Sequence, residues 1–570
     1  MLSFNTVKIP AMKTKNIIYL LALAVAGTFT ACKKNYLDIV PTDRFAYASV
    51  LADSSLFEDY VINRYMSIKL QDKEGEGTNP GFGRGFEYAM WSAVTDEAIY
   101  NNDDNTWLIQ RGLLAPENTG IAGTIWGRSY RSIRECNYGL INIGKVTMSD
   151  LHRNRLRSEL HFIRAFRYQD LIRNYGGVVL VNDTVYALDN NLTDASLFVK
   201  SSVADCIKYA VAELDSAALY LPQTNDGNWQ QGRATKGAAL ALKSRLLLYA
   251  ASPLYNTGTW ADAAAAAKVV MDMGQYTISD NYSQLFSSAA ASSKEIIFSR
   301  QYAIGARHVC MEIANGPNGY GGWAGNTPLQ NQVDAYEMNN GKVITDVTSG
   351  FDATKPYANR DARFYASILY NGASYRGSTL QMFSPGGKDS KDGPSNWNTT
   401  KTGYYLRKFM DDNNPIDNPW NVAGLQPWIY LRYAEVLLNY AEAQNEAVGP
   451  DGTVYAAINQ IRQRSSVNQP ALVAGLSQTE MRDAIRRERQ VELAFEEHRF
   501  YDVRRWKIAA VTENVPAYGM DVQISGTDTV YTRKVALSGR LFDASKNYFL
   551  PIPRTEIQAS NNQLEQTAGY

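Results

Sequence analysis

The stretch "ATKGAALALKSRLLLYAASP", residues 234–253, decides the fold class. Ala239, Leu242, Leu246, Tyr249 and Ala250 recur at helical spacing, while Gly237, Ala238 and Ala241 leave room for a second helix to come close. A helix apolar on more than one side needs neighbours on more than one side, so a stacked helical layer is predicted. The flanking segments read alike. "RSIRECNYGLINIGKV" (131–146), "LRSELHFIRAFRYQDLIRNYGG" (156–177), "VADCIKYAVAELDSAALYLP" (203–222) and "WADAAAAAKVVMDMG" (260–274) are helices, the second ending at Gly176-Gly177. Antiparallel pairs with small residues at their contacts suggest degenerate tetratricopeptide units, although no clean 34-residue period is present.

From about 275 to 428 the texture changes to Gly, Asn, Asp, Ser, Pro and aromatic residues, with short strand-like pieces such as "KEIIFSR" (294–300). Long irregular segments inside a compact protein tend to be functional. Helices return at "YLRYAEVLLNYAEAQNE" (430–446), "YAAINQIRQRS" (455–465) and "TEMRDAIRRERQVELAFEEHRFYDVRRW" (479–506). The expected fold is mainly α, a superhelical scaffold with a loop-rich half.

The chain has 570 residues, with 57 Lys+Arg against 57 Asp+Glu, and that zero balance argues against a nucleic-acid binder. Its four cysteines form no CxxC pair and its four histidines no HExxH, so neither a metal centre nor a redox motif is expected. "GFGRGFE" (81–87) and "GYGGWAG" (319–325) do not give a nucleotide-binding GxGxxG, and no cofactor is expected.

The start is an address. Lys13 and Lys15 precede a short apolar run, Ile17 to Gly27, and the segment ends at Phe29-Thr30-Ala31-Cys32. This is a secretory signal over residues 1–31 with a lipobox-like end, Met12 being a second possible start. Cys32 is the expected lipidation site, and acyl chains contribute about 0.8 kcal/mol of membrane affinity per buried CH₂. The other three cysteines, 136, 206 and 310, then read as isolated buried thiols.

The densest charge lies in "RRERQVELAFEEHRFYDVRRW" (486–506), with six arginines and five acidic residues. On one continuous helix, Glu488, Glu492 and Glu496 share a face that Arg489 can bridge, and Val491, Ala494, Phe495 and His498 form an apolar stripe beside it. His498 thus reads as a packed residue, and the stretch as scaffold rather than chemistry.

Seven blocks in order carry a resemblance: "CKKNYLDIVPTDRF", "RAFRYQDLIRNYGGVVLV", "GRATKGAALALKSRLLLYAASPLYN", "LRYAEVLLNYAEAQNE", "INQIRQRS", the 486–506 stretch and "FLPIPRTEI". Together they resemble the SusD/RagB family of nutrient-binding outer-membrane lipoproteins of Bacteroidetes. The resemblance implies tetratricopeptide-like helices packed against a SusC-like TonB-dependent transporter. It also implies a loop-rich half that binds a glycan, sometimes a peptide, and a non-enzymatic role as lid. The expected division is a signal (1–31), an N-terminal helical region (32–275) and a C-terminal region (276–570).

Sugars present flat C–H faces and hydroxyl edges, so an exposed ring beside amides or carboxylates suits them. "TDEAIYNNDDNTWL" (95–108) offers Asn101, Asp103 and Trp107. "NGPNGYGGWAGNTPLQ" (315–330) offers Tyr320, Trp323 and Asn326, and "SNWNTTKTGYY" (395–405) offers Trp397, with Tyr404 and Tyr405 read as strand. "NNDDN" lacks the spacing of a calcium loop. Two other classes remain open: a secreted glycan-degrading enzyme, which needs two carboxylates flanking the cut bond, and a tetratricopeptide scaffold lipoprotein of outer-membrane assembly.

Overall fold

The computed structural model describes residues 47–66, 89–102, 105–186, 194–225, 229–303, 311–414, 416 and 424–570. The signal, Cys32 and Cys310 lie outside the described residues. The long helices are α1 (Ser54–Met66), α2 (Ile125–Asn142), α3 (Asp150–Tyr175), α4 (Val203–Ala218), α5 (Lys236–Ala251), α6 (Trp260–Asp272), α7 (Tyr433–Val448), α8 (Gly452–Arg462) and α9 (Gln478–Glu492), with α10 (Arg499–Arg505) shorter. From α2 to α6 each helix packs on the next, and α7 packs on α6, α8 and α9. The mainly α architecture expected from the sequence is what forms.

Local chemistry sets the helix starts. The side chains of Ser149, Ser202, Thr235 and Thr259 accept backbone N–H groups at the starts of α3 to α6, and Ser477 with Glu480 forms a capping box on α9. Gly176, with φ +75°, ends α3. On α5, Gly237 faces Tyr276 so closely that a Cβ would collide with the ring. The α5 surface is buried almost all round, Arg245 included, and Arg245 binds Glu435 of α7 at 2.6 Å and the Tyr430 carbonyl at 2.6 Å. A buried guanidinium needs such partners.

The strands are β1 (Ala98–Tyr100), β2 (Ile296–Arg300), β3 (Asn326–Pro328), β4 (Ile368–Leu369), β5 (Ser374–Tyr375), β6 (Ser378–Thr379), β7 (Tyr405–Leu406), β8 (Trp428–Arg432), β9 (Ala517–Ser525) and β10 (Asp528–Leu537). They pair two at a time, antiparallel, as β1–β3, β2–β8, β4–β7, β5–β6 and β9–β10. The β2–β8 ribbon joins the two helical halves: Phe298 stacks on Tyr430 at 5.5 Å and meets Phe162 of α3 edge-on at 5.0 Å. Cys136 and Cys206 are buried free thiols, and burial pushes the Cys136 thiol up to about 12.

Two predicted helices are corrected. The 430–446 helix begins only at Tyr433, because Tyr430, Leu431 and Arg432 belong to β8. The 479–506 helix breaks after Glu492, and Phe495 (φ 62°) and Glu497 (φ 65°) take left-handed backbone before α10 begins. Cations from distant segments make the break. Arg432 donates to the Glu492 carbonyl at 2.8 Å, as does the Tyr282 hydroxyl at 2.9 Å, and Lys408 donates to the Ala494 carbonyl at 2.8 Å. They cap carbonyls that helix continuation would have used.

The acidic row therefore works across elements. Glu488 binds Arg363 at 2.5 Å and Arg462 at 2.9 Å. Glu492 binds Arg432 and Arg464 at 2.8 Å each and Arg363 at 3.0 Å. Glu496 binds Arg432 at 2.7 Å and Lys408 at 2.8 Å. Arg489 does not bridge that row; it binds Asp502 at 2.7 Å and Asn439 at 2.8 Å. Burial pushes the Glu492 carboxyl up, but Arg464, Arg432 and Arg363 together hold it well below the usual carboxylate range. Burial brings the Lys408 ammonium down to about 8 against the pull of Glu496. His498 is held neutral by burial and by the charges of Arg245 and Arg489, as a packed residue should be.

Candidate functional site

The three loops singled out in the sequence converge. Antiparallel pairing of β1 with β3 sets Tyr100 opposite Asn326, and the Asn101 N–H donates to the Gly325 carbonyl at 2.7 Å. The Asn101 amide then reaches the third loop, donating to the Thr399 carbonyl at 3.0 Å and accepting from the Lys401 N–H at 3.1 Å. Lys401 Nζ returns to the Asn101 carbonyl at 2.7 Å, and Asn102 donates to the Trp323 carbonyl at 3.3 Å.

The 315–325 loop is folded on its own backbone. Trp323 N–H donates to Ile313 and Gly325 N–H to Ala314, both at 2.7 Å, and Gly322 N–H donates to Pro317 at 3.0 Å. Gly322 lies against the backbone of Gly316, where a Cβ would collide. Asn326 donates from its backbone and its amide to Asn315 Oδ1 at 2.9 and 2.8 Å and accepts from Met90 N–H at 2.9 Å. Asn318 donates to the Ser390 and Pro394 carbonyls at 3.1 and 2.8 Å and accepts from the Tyr405 hydroxyl at 2.6 Å.

This satisfied backbone carries the rings. Trp397 is 77% exposed and Trp107 38% exposed, while Tyr320 and Trp323 are half-buried. Tyr320 meets Tyr375 edge-on at 5.1 Å, and Lys388 lies 4.5 Å over its ring and donates to its hydroxyl at 3.1 Å. One edge of Tyr320 is thus fixed. Under the loop, Asp389 accepts from Gln381 N–H at 2.8 Å, and its other oxygen is buried without a hydrogen-bond partner among the described residues. Burial raises that carboxyl, opposed by the Gln381 N–H and by Lys388.

Asn101 and Asn326, expected to offer amides to a ligand, are instead buried, the Asn101 amide bonded to the backbone of the third loop and the Asn326 amide to the Asn315 side chain and the Met90 N–H. Asp103 lies outside the described residues. Tyr404 and Tyr405 are buried at β7, as strand residues. Sequence reasoning missed the 388–394 segment that supports Tyr320 and Asn318; its only local signal is a run of Gly, Lys, Asp and Pro.

The site is rooted in the charged break. Arg499, opening α10, forms two bonds of 2.8 and 2.7 Å to Asp96. The neighbouring Glu97 accepts from Phe495 N–H at 3.4 Å, and its carbonyl accepts from Leu329 N–H at 2.9 Å. Burial, with the Asp96 charge beside it, pushes the Glu97 carboxyl up to about 8.

The arrangement suits stacking against a flat-faced ligand. Among the described residues no helix is long and apolar enough to cross a membrane, and no cluster of His, Cys, Asp and Glu is placed to hold a metal.

The SusD family model matches residues 269–570, and a second, described as "Starch-binding associating with outer membrane", matches residues 80–248. A SusD-like protein of Formosa agariphila is 24% identical over 469 residues, 80% of this chain and 82% of that one. A SusD-like crystal structure from Bacteroides fragilis superposes with TM-score 0.76 at 29% identity, covering 93% of this chain and all of the other. A second from that organism, described as a SusD-like carbohydrate-binding protein, gives TM-score 0.77 at 26% identity, covering 90% of this chain and all of its own.

Proposed function

We propose, from the premise that the chain belongs to the SusD family, that this protein binds a glycan at the outer membrane and passes it to a TonB-dependent transporter. The carrying observation is the meeting of three loops that sequester the Asn101 and Asn326 amides and leave Trp107 and Trp397 exposed and Trp323 half-exposed. In this reading these rings, with Tyr320, supply the faces on which a saccharide stacks. The carbohydrate-binding name of the 26%-identical relative and the "starch-binding" family description support the ligand class. The description "associating with outer membrane" supports the location, and Cys32 supplies the acyl anchor in this reading.

Such a protein cuts no bond: it holds the ligand and acts as lid while the transporter takes it. The equal numbers of acidic and basic residues favour a neutral glycan over a polyanion. Calorimetry against a glycan and peptide panel tests the ligand class; binding of peptides alone, or release of reducing ends by the purified protein, would overturn it. Cys32→Ala should release the protein from membranes, and continued retention would exclude the acyl anchor.

A further inference from the structure

A cleft of about 880 Å³ lies between the 353–358 turn, the 370–372 turn after β4, and the tip of the β9–β10 hairpin, and none of the platform rings lines it. That volume is in the range of small-ligand sites, roughly 300–1,000 Å³. Three tyrosines from the three segments line it, Tyr357 buried as its floor and Tyr370 and Tyr531 half-buried in its walls. Tyr357 lies 4.6 Å from Tyr370 and meets Tyr531 edge-on at 5.3 Å, and Tyr370 stacks on Phe364 at 5.1 Å, which fixes the tilt of its ring.

The polar groups are also set. Asn371 accepts from Met382 N–H at 2.9 Å, which turns its NH₂ toward Tyr531, whose hydroxyl is a distant 3.5 Å away. Gly372 (φ +90°) has open space where a Cβ would stand. Exposed Lys355 and Asp528 bring one charge of each sign to the walls. Aromatic faces, amide and hydroxyl edges and no net charge are the recognition chemistry of a neutral saccharide.

We propose that this cleft is a second saccharide site, taking two or three units of a neutral glycan. It rests on the carbohydrate reading of the protein but not on the platform rings. The two sites share one excursion of chain: its β5 end sets Tyr375 against Tyr320, and its start carries Tyr370 and Asn371. A polymer engaging both gains avidity without any stronger single contact.

Hydrogen exchange with maltotriose and laminaritriose as probes tests this, each being short enough to report one site at a time. The expected result is slower exchange at 353–358, 370–372 and 527–531, in the wild type and in the Tyr320→Ala/Trp323→Ala double variant alike. Tyr531→Ala, and Thr529→Trp which fills the cleft from the hairpin tip, should each weaken that protection about tenfold in apparent affinity. Protection that survives both substitutions, or never appears in the cleft with either sugar, overturns the proposal. Cleft protection with none at 315–325 supports it while sinking the platform.

Discussion

The break after α9 and the 315–325 loop are both dense with hydrogen bonds, and they differ in what the bonds consume. At the break the side chains are consumed: Glu488, Glu492 and Glu496 are buried and each meets at least two cations brought from elsewhere in the chain. In the loop the backbone and the small amides are consumed, and the large rings are left accessible. Charge concentrated in sequence here marks a joint whose partners arrive from a distance. The proposed site lies where bonding finishes mostly within the main chain and leaves rings over.

The sharpest way to break that contrast is Arg432→Ala. It takes one cation from each of the buried Glu492, Glu496 and Glu295 and one of the two short donors from the Glu492 carbonyl, so unfolding by urea should register a loss of about 3 kcal/mol. Glycan affinity of the protein that remains folded should stay within about twofold; a selective loss of binding would turn the joint into part of the site.

A second test uses pH. The folded chain keeps a proton on Glu97 between the ordinary 4.5 and about 8, a window in which the unfolded chain has released it. This contribution is fully present below pH 4.5 and is lost as pH rises through 8. Glu97→Gln should therefore gain on the wild type across that window, by a few kcal/mol, and run parallel to it above. Equal slopes in denaturation at a series of pH values would show that Glu97 is ionised in the fold.

On the loop side the expected effects are smaller in stability and larger in binding. Tyr320→Ala with Trp323→Ala should weaken glycan binding at least about tenfold in calorimetry. The stability cost should be about 2 kcal/mol, since both rings are half-buried on a self-bonded backbone. Smallest of all, Trp397→Ala should leave stability within about 0.5 kcal/mol, because a ring 77% exposed has little packing to lose. It should weaken binding a few-fold; an unchanged affinity would remove Trp397 from the platform.

Most of the helical scaffold was legible because apolar spacing and caps are local, as α3 and α5 show. The break was not legible: "VELAFEEH" is made of good helix formers, and its cause is Arg432, Lys408 and Tyr282 arriving from far along the chain. The exposure of Trp397 could be read from a segment with no apolar neighbours. The burial of Asn101 and Asn326 could not, because composition names an amide without saying which way it points. Lys388 and Tyr375 were invisible for a similar reason, since only the fold brings them to Tyr320.

Asn101 has a kinetic consequence. One residue, placed by β1, joins three segments through four hydrogen bonds, two from its amide and two from its backbone, before any ligand arrives. Capture on such a surface need not wait for the loops to gather. Association should then run at the orientation-limited pace of preformed sites, about 10⁵–10⁷ M⁻¹s⁻¹, and differences among glycans should appear in how long each one stays.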